Sequence, residues 1–177
     1  MNTRLHNTYI GVGSSAPPPI IERATLVAKQ LACHHYQLRS DGEAGVSSIF
    51  DSHSPHSEIY LPHRDYLNHS STLCKSSREA EYIASKYHPS YDALSTLQRK
   101  IVNRYSHVVL GKDLREPALF AVIYSEDGAQ CNKERTAQTG IVGHVICLCE
   151  SLSIPIFNLA RDDSLLRMEK RLGIDLS

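Results

Sequence analysis

Three turns of the chain carry residue types that can bind a phosphate group. Each turn lies between a strand-like apolar run and a helical pattern, and the turns span residues 11–18, 39–47 and 139–144. Glycines at such turns let backbone N–H groups approach an anion closely, and the N-terminus of the following helix supplies partial positive charge. The turns therefore predict an anion-binding site assembled from all three.

The first turn combines backbone freedom with hydroxyl donors. Gly11 and Gly13 permit close approach of a ligand, and Ser14 and Ser15 add side-chain donors. The turn lacks both the G-x-G-x-x-G pattern and the lysine of a P-loop. A tight strand-to-helix connection without a ligand is the alternative interpretation of these four residues.

The second turn begins with Arg39 at the end of a strand, where its guanidinium could pair with a phosphate or a carboxylate. A salt bridge from Arg39 to Asp41 or Glu43 is the alternative interpretation. The other candidate ligand-binding positions of this turn are Ser40, Gly42, Gly45 and Ser47.

The third turn precedes a helix that runs to Ser151. Gly140 and Gly143 could open a phosphate-binding loop, and Thr139 could cap the helix or contact the ligand. His144 lies in the first helical turn, where it could donate a hydrogen bond to an anion. A half-exposed helix residue without a ligand is the alternative interpretation of His144.

Strand-like and helical segments alternate along the chain, as they do in sheets built from β-α-β units. The strand-like segments span residues 8–12, 36–39, 58–61, 119–124 and 154–159. The helical patterns span residues 20–34, 44–51, 76–87, 95–109, 140–151 and 162–172. In the helix over 95–109, the residues expected to face inward are Leu97, Ile101, Val102 and Tyr105.

This order of elements predicts the α/β class, with a Rossmann-like, doubly wound and mostly parallel sheet of about five strands flanked by helices. Ligands of such sheets bind beyond the carboxyl ends of the strands, at the point where the strand order reverses. The glycine-containing turns fall at this edge. Asn158, at the end of the last strand, is expected there too.

The composition is that of one ordinary globular domain over residues 1–177, with a Ser- and His-rich loop region around 47–77. Lys and Arg number 19 and Asp and Glu number 19, so the formal net charge is zero. This balance disfavours a general nucleic-acid coat, which needs a basic surplus. No apolar run approaches the ~18 residues of a membrane span.

The cysteines and the N-terminus predict a cytoplasmic protein. The five cysteines are an odd number without a CxxC pair, so we expect reduced thiols and neither a disulfide framework nor a metal site. The polar stretch 1–8 has no apolar core, and we expect no signal peptide. No cofactor is expected.

Taken together, the three turns resemble the SLOG superfamily of Rossmann-like nucleotide-binding proteins, which includes DprA/Smf-like and LOG-like members. The chain is most similar to small stand-alone DprA-like proteins of bacteriophages. The resemblance extends from Tyr9 to Ala160 and rests on residues 9–14, 38–50, 58–62, 88–89, 104–111, 139–144 and 154–160.

The resemblance implies a nucleotide pocket, adds Arg104 to the candidate ligand-binding residues, and implies a homodimer or higher homo-oligomer. Asp41 stands where relatives have glycine, and Ser47 stands where they have an acidic residue. The LOG-like phosphoribohydrolases carry a catalytic glutamate in the helix after the third turn, where this chain has Cys147. The departures therefore favour a protein without catalytic residues.

The leading hypothesis is a non-catalytic protein that binds a phosphorylated nucleotide or an ADP-ribose-like molecule. In this hypothesis a phage protein sequesters a nucleotide defence signal of its host. One alternative is a nucleotide phosphoribohydrolase or N-glycosidase that uses Glu43 or Glu150 as its acid. Further alternatives are a DprA-like recombination mediator that binds single-stranded DNA, and a protein–protein inhibitor on the same scaffold.

Two carboxylates complicate the anion site. Asp41 and Glu43 lie in the second turn, and each like-charge contact with a bound anion would cost on the order of 1 kcal/mol near a surface. Arg39 and Arg104 are the cations that could offset this repulsion.

Overall fold

The computed structural model describes residues 7–176 and contains one sheet of five strands. The strands are β1 (Thr8–Gly13), β2 (Gln37–Ser40), β3 (Ser57–Ile59), β4 (Phe120–Tyr124) and β5 (Ile156–Asn158). Their order is β3-β2-β1-β4-β5, and every neighbouring pair is parallel. The predicted Rossmann-like α/β fold is confirmed, with a sheet that is entirely parallel. Residues 1–6, within the segment predicted to hold no signal peptide, lie outside the described residues.

Within residues 7–176 the helices are α1 (Pro18–Cys33), α2 (Val46–His53), α3 (Arg78–Tyr87), α4 (Thr96–Leu110), α5 (Gly143–Ser151) and α6 (Ser164–Leu172). Each corresponds to a predicted helix with ends displaced by a few residues. The largest local difference precedes α5. A 3-10 turn, Ala137–Val142, occupies the predicted start of that helix and is interrupted at Gly140, whose φ is +57°.

The Ser- and His-rich region around 47–77 holds most of α2, all of β3 and a 3-10 turn, Tyr66–Asn68, with irregular chain between them. Among the described helices, none has both the length and the apolar character that crossing a membrane requires.

Strand residues alternate between two apolar layers, as the period of a strand requires. Tyr9 of β1 and Phe120 of β4 pack in the layer formed with α1, α2 and α6. Ile10 and Ala121, their immediate neighbours, pack in the layer formed with α4 and α5. Both faces of the sheet are therefore covered by helices, which is why its strands are nearly continuous apolar runs.

Helix α4 is buried on several sides because α3 packs against its outer face. The hydroxyl of Ser106 on α4 donates to the carbonyl of Ala80 on α3 at 3.0 Å. Val102 and Tyr105 are buried as predicted, but Leu97 is 50% exposed. The inward prediction for Leu97 is wrong because the buried residues of α4 begin at Val102, leaving its first turns in solvent.

Candidate functional site

The strand order reverses between β1 and β4, so the switch point of the sheet lies at the carboxyl ends of these two strands. The chain leaves β1 through Ser14 and Ser15, whose side chains are exposed. It leaves the neighbouring β2 through Asp41 and β4 through Ser125. Because carboxyl ends of parallel strands share one edge, the first two predicted turns meet here.

The first two turns support each other through backbone contacts. Gly45 has a φ of +89°, and a Cβ there would lie 2.4 Å from the carbonyl carbon of Ser14. The next amide, that of Val46, donates to the Ser14 carbonyl at 3.0 Å. The buried Ser47 hydroxyl accepts from the Gly13 amide at 3.0 Å. The backbone at Gly45 therefore packs directly against the first turn, and the Ser47 hydroxyl bonds to it.

Three other predicted positions lie within the packed structure under this edge. A Cβ on Gly11 would lie 2.7 Å from Cγ of Phe50, and one on Gly42 would lie 2.4 Å from a methyl carbon of Leu61. The Ser40 hydroxyl, fully buried, donates to the Gly11 carbonyl at 2.6 Å. The structure thus gives Gly11, Ser40 and Gly42 packing contacts that by themselves explain these residue types.

Arg39 lies apart from the switch point. Its side chain is 2% exposed, and its Nε donates to Glu58 at 2.8 Å. A second glutamate, Glu116, lies 3.5 Å from its Nη2. Glu58 is the direct cross-strand neighbour of Arg39 in the β2–β3 pairing, which explains why Arg39 pairs with it rather than with Asp41 or Glu43.

The side chain of Arg104 on α4 bonds to the second turn instead. Its Nη1 donates to the Asp41 carbonyl at 2.8 Å, and its Nη2 forms an ion pair with Glu43. The Tyr105 hydroxyl donates to the Asp41 carboxylate at 2.8 Å, and the Tyr66 hydroxyl donates to Glu43 at 2.9 Å. We refer to these five side chains as the Arg104 cluster.

The Arg104 cluster changes the charge expected at the anion site. Arg104 is 2% exposed, and its guanidinium lies against the rings of Tyr66 and Tyr105. Burial and the nearby Asp41 carboxylate raise the pKa of Tyr105 well above its usual range, so its hydroxyl stays a donor. Asp41 and Glu43 thus have partners of their own, and the repulsion of a bound anion is reduced.

The loop after β4 is organised by Asp127. Its carboxylate accepts hydrogen bonds from Thr139, Thr136 and Ser125. Burial opposes ionisation, but these hydrogen bonds outweigh it and hold the pKa of Asp127 well below its usual range. Thr139 is 3% exposed, and its hydroxyl also accepts from the Thr136 amide at 2.9 Å, so the residue has a structural function at this turn.

Asn158, at the end of β5, forms hydrogen bonds to the same loop. Its side-chain amide donates to the Ser125 hydroxyl at 2.8 Å and to the Ala129 carbonyl at 2.9 Å, and the residue is fully buried. Asn158 therefore shapes the site by tying β5 to the chain that leaves β4.

His144 lies in the first turn of α5 and is half-buried. Its ring stacks on that of His88 with 5.0 Å between centroids and lies 5.8 Å from the ring of Tyr105. Burial, followed by the positive charges of His88, Arg135 and Arg104, lowers the pKa of His144 to about 4. His144 is therefore neutral at pH 7 and can both donate and accept one hydrogen bond.

Arg135 was not among the predicted site residues. Its guanidinium lies over the start of α5, where a Cβ on Gly143 would be 2.5 Å from its Nη2. Arg135 also donates to the side chain of Asn132 at 3.1 Å. It belongs to a polar, irregular stretch without a pattern, so only the folded chain reveals it. Gly140, in contrast, is exposed, and a Cβ there would contact nothing within 4 Å.

Cys147, Glu150 and Glu43, the residues considered above for a catalytic function, each contact other parts of the protein. Cys147 is half-buried on α5, and its thiol lies 3.7 Å from the Tyr87 carbonyl, which it can reach as a weak donor. Glu150, near the other end of α5, accepts from the Asn132 amide at 3.0 Å. Glu43 belongs to the Arg104 cluster.

Comparison of the chain with protein-family models, with curated proteins and with solved structures finds no match in any of the three. The resemblance to the SLOG superfamily therefore stays a prediction.

We expect Arg104→Met to lower the free energy of unfolding by about 3–5 kcal/mol, because it leaves the Asp41 carbonyl without its donor and the Glu43 carboxylate without its cation. Adding Glu43→Gln should recover part of this loss, since one uncompensated charge is then removed. Urea denaturation measures both. Lys100→Met, an exposed cation on the same helix, should change stability by less than ~0.5 kcal/mol. Strictly additive effects of Arg104→Met and Glu43→Gln would contradict the pairing.

We expect stability to fall as the pH drops from about 6.5 to about 4, because the unfolded His144 takes up a proton in this window and the folded one does not. The contribution is at most roughly 3 kcal/mol. Urea denaturation across this range should show a shallower pH dependence for His144→Phe than for wild type. His56→Phe, at an exposed histidine, should keep the wild-type dependence. An unchanged slope in His144→Phe would refute the assignment.

Proposed function

We propose that this protein binds a phosphorylated nucleotide or an ADP-ribose-like molecule at the carboxyl edge of its sheet and does not transform it. One observation carries the proposal. Polar groups lie on the segments that follow the two strands of the switch point, exposed Ser14 and Ser15 after β1 and half-buried Arg135 and His144 between β4 and the first turn of α5, while the carboxylates of the second turn are paired internally.

The charges at this edge suit a phosphate group. A planar guanidinium such as that of Arg135 forms paired hydrogen bonds with phosphate oxygens. The N-terminus of α5, which begins at Gly143, adds partial positive charge on the same side. The exposed hydroxyls of Ser14 and Ser15 offer further donors. These groups together support a ligand that carries one or two phosphates.

The neutral state of His144 favours a ligand with hydroxyl groups beside its phosphate. A neutral imidazole offers one N–H donor and one lone pair, which match a ribose hydroxyl or a phosphate oxygen. The aromatic rings of His88 and Tyr105 hold the His144 ring in place. Nucleotides and ADP-ribose derivatives present phosphate and ribose hydroxyls together, which is why we favour them.

Binding without turnover is supported by Cys147, which stands where the LOG-like phosphoribohydrolases that the sequence resembles carry their catalytic glutamate. Cys147 cannot supply a carboxylate, and its thiol is within reach of a backbone carbonyl on α3. A protein that binds such a ligand stoichiometrically would act by sequestering it. The predicted resemblance to small phage proteins extends the proposal to a nucleotide defence signal of a bacterial host and to a homo-oligomeric protein.

Isothermal titration calorimetry with ADP-ribose, AMP, ADP and cyclic dinucleotides tests the proposal. We expect saturable binding of at least one compound. Arg135→Gln should weaken it about 10- to 100-fold, the effect of losing a charge-assisted hydrogen bond. Lys133→Gln removes a neighbouring exposed cation and should leave the affinity unchanged. Equal affinities of Arg135→Gln and wild type would place the ligand elsewhere.

Recovery of the ligand after binding separates the proposal from its alternatives. We expect chromatography to return the compound intact. Release of free base, abolished by Glu43→Gln, would favour a phosphoribohydrolase instead. A salt-sensitive gel shift with single-stranded DNA, without binding of any nucleotide, would favour a DprA-like mediator.

A further inference from the structure

A cavity separate from the switch point lies beside the edge strand of the sheet. It measures about 500 Å³ and is bounded by the chain after β3, the segment that leads into α3, the last turns of α4 and the residues that follow α4. Its lining includes Tyr60, Leu73, Lys75, His107 and Lys112. None of the groups that flank the switch point belongs to it. We call it the lateral cavity.

His107, one of the residues that line the lateral cavity, has an unused side-chain nitrogen. The residue is 6% exposed, and its Nδ1 lies 3.2 Å from the Gly111 carbonyl. A carbonyl oxygen only accepts, so Nδ1 carries the proton and Nε2 of the neutral ring has a free lone pair. Nε2 is buried and lacks a hydrogen-bond partner among the described residues. Such groups are rare in folded proteins and call for a ligand or a water.

The imidazole of His107 is held in one orientation. Its ring stacks on that of Tyr60 with 5.6 Å between centroids and 17° between planes. The Tyr60 hydroxyl in turn donates to Glu58 at 2.9 Å. Because both rings are fixed, the lone pair of Nε2 is preorganised to accept from a hydroxyl or amino group of a ligand.

The opening of the lateral cavity favours an anion. Two of its lining residues, Lys75 and Lys112, are cationic, against one acidic lining residue, Asp113. Ser76 and Ser77 line it at the start of α3, where the helix N-terminus adds partial positive charge. The Ser77 hydroxyl already caps this helix by accepting from Ala80 at 3.0 Å, which fixes the geometry of the turn.

We propose that the lateral cavity binds a small phosphate monoester that also carries hydroxyl groups, the chemistry of a sugar phosphate. The phosphate lies between Lys75 and Lys112, and a hydroxyl donates to Nε2 of His107. The side chains of Leu73 and Tyr60 contact the carbon skeleton. The volume of about 500 Å³ falls in the range of sites for small molecules, roughly 300–1,000 Å³.

A water provides the competing explanation for the free nitrogen. Arg104 and His107 both line an adjoining cavity of about 10 Å³, which is about the space that one water needs. The Nε of Arg104 is also buried without a partner. A water that bridges these two nitrogens would satisfy both and would leave no function for the lysines.

Titration with ribose 5-phosphate, followed by the imidazole ¹⁵N signals of His107, tests the proposal. We expect saturable binding that shifts the Nε2 signal, with ribose alone and inorganic phosphate alone binding at least 10-fold more weakly. Lys75→Gln and Lys112→Gln should each weaken ribose 5-phosphate about 10-fold. Lys29→Gln, an exposed lysine on the opposite face of the sheet, should have no effect.

Two results would overturn the lateral site. One is an unmoved His107 signal at saturating ribose 5-phosphate, which leaves the water as the partner of Nε2. The other is loss of ribose 5-phosphate binding in Arg135→Gln but not in Lys112→Gln, which would place the compound at the switch point. The two proposals can fail independently. The nucleotide proposal is tested by calorimetry with nucleotides and Arg135→Gln, whereas the lateral cavity is tested with ribose 5-phosphate and the two lysine variants.

Discussion

The burial of one arginine under the carboxyl edge of the sheet is the constraint on which the site depends. Arg104 lies on a helix that is covered on its outer face, and it reaches the turn after β2 through a carbonyl and a carboxylate. A buried cation is tolerated only when its hydrogen bonds are met by well-placed partners. The turn after β2 therefore has to carry acceptors at Asp41 and Glu43, and its conformation is set by that requirement.

The Arg104 cluster connects the second turn to α4 and α5 and limits what the edge of the sheet can bind. The Tyr105 hydroxyl bonds to Asp41, and the Tyr105 ring lies beside His144 at the start of α5. The second turn, α4 and the third turn thus form one connected unit. Its carboxylates point to partners within the protein, which leaves hydroxyl, imidazole and guanidinium groups for an anionic ligand.

The strands and helices could be predicted closely from the sequence, whereas the use of individual side chains could not. Apolar periodicity placed α1, α3, α4 and α6, because each of these helices must bury one face. The same reasoning predicted that Leu97 faces inward, since periodicity does not show how much of a helix its neighbours cover. Arg39 looked like a ligand for phosphate, but its parallel neighbour in β3 is a glutamate, and strand register is a property of the folded sheet.

The sequence by itself determined the fold class, the order of the elements and the positions where the chain turns, because these follow from local patterns of apolar and turn-forming residues. Only the tertiary structure decided which polar groups form hydrogen bonds within the protein and which are left to contact a ligand. The side chains of Ser47, Thr139 and Asn158 form hydrogen bonds that hold the turns together. The Arg135 guanidinium lies beside Gly143 at the start of α5. The reason is that a hydrogen bond between residues distant in the chain depends on where the fold places its two ends, and no local pattern encodes that distance.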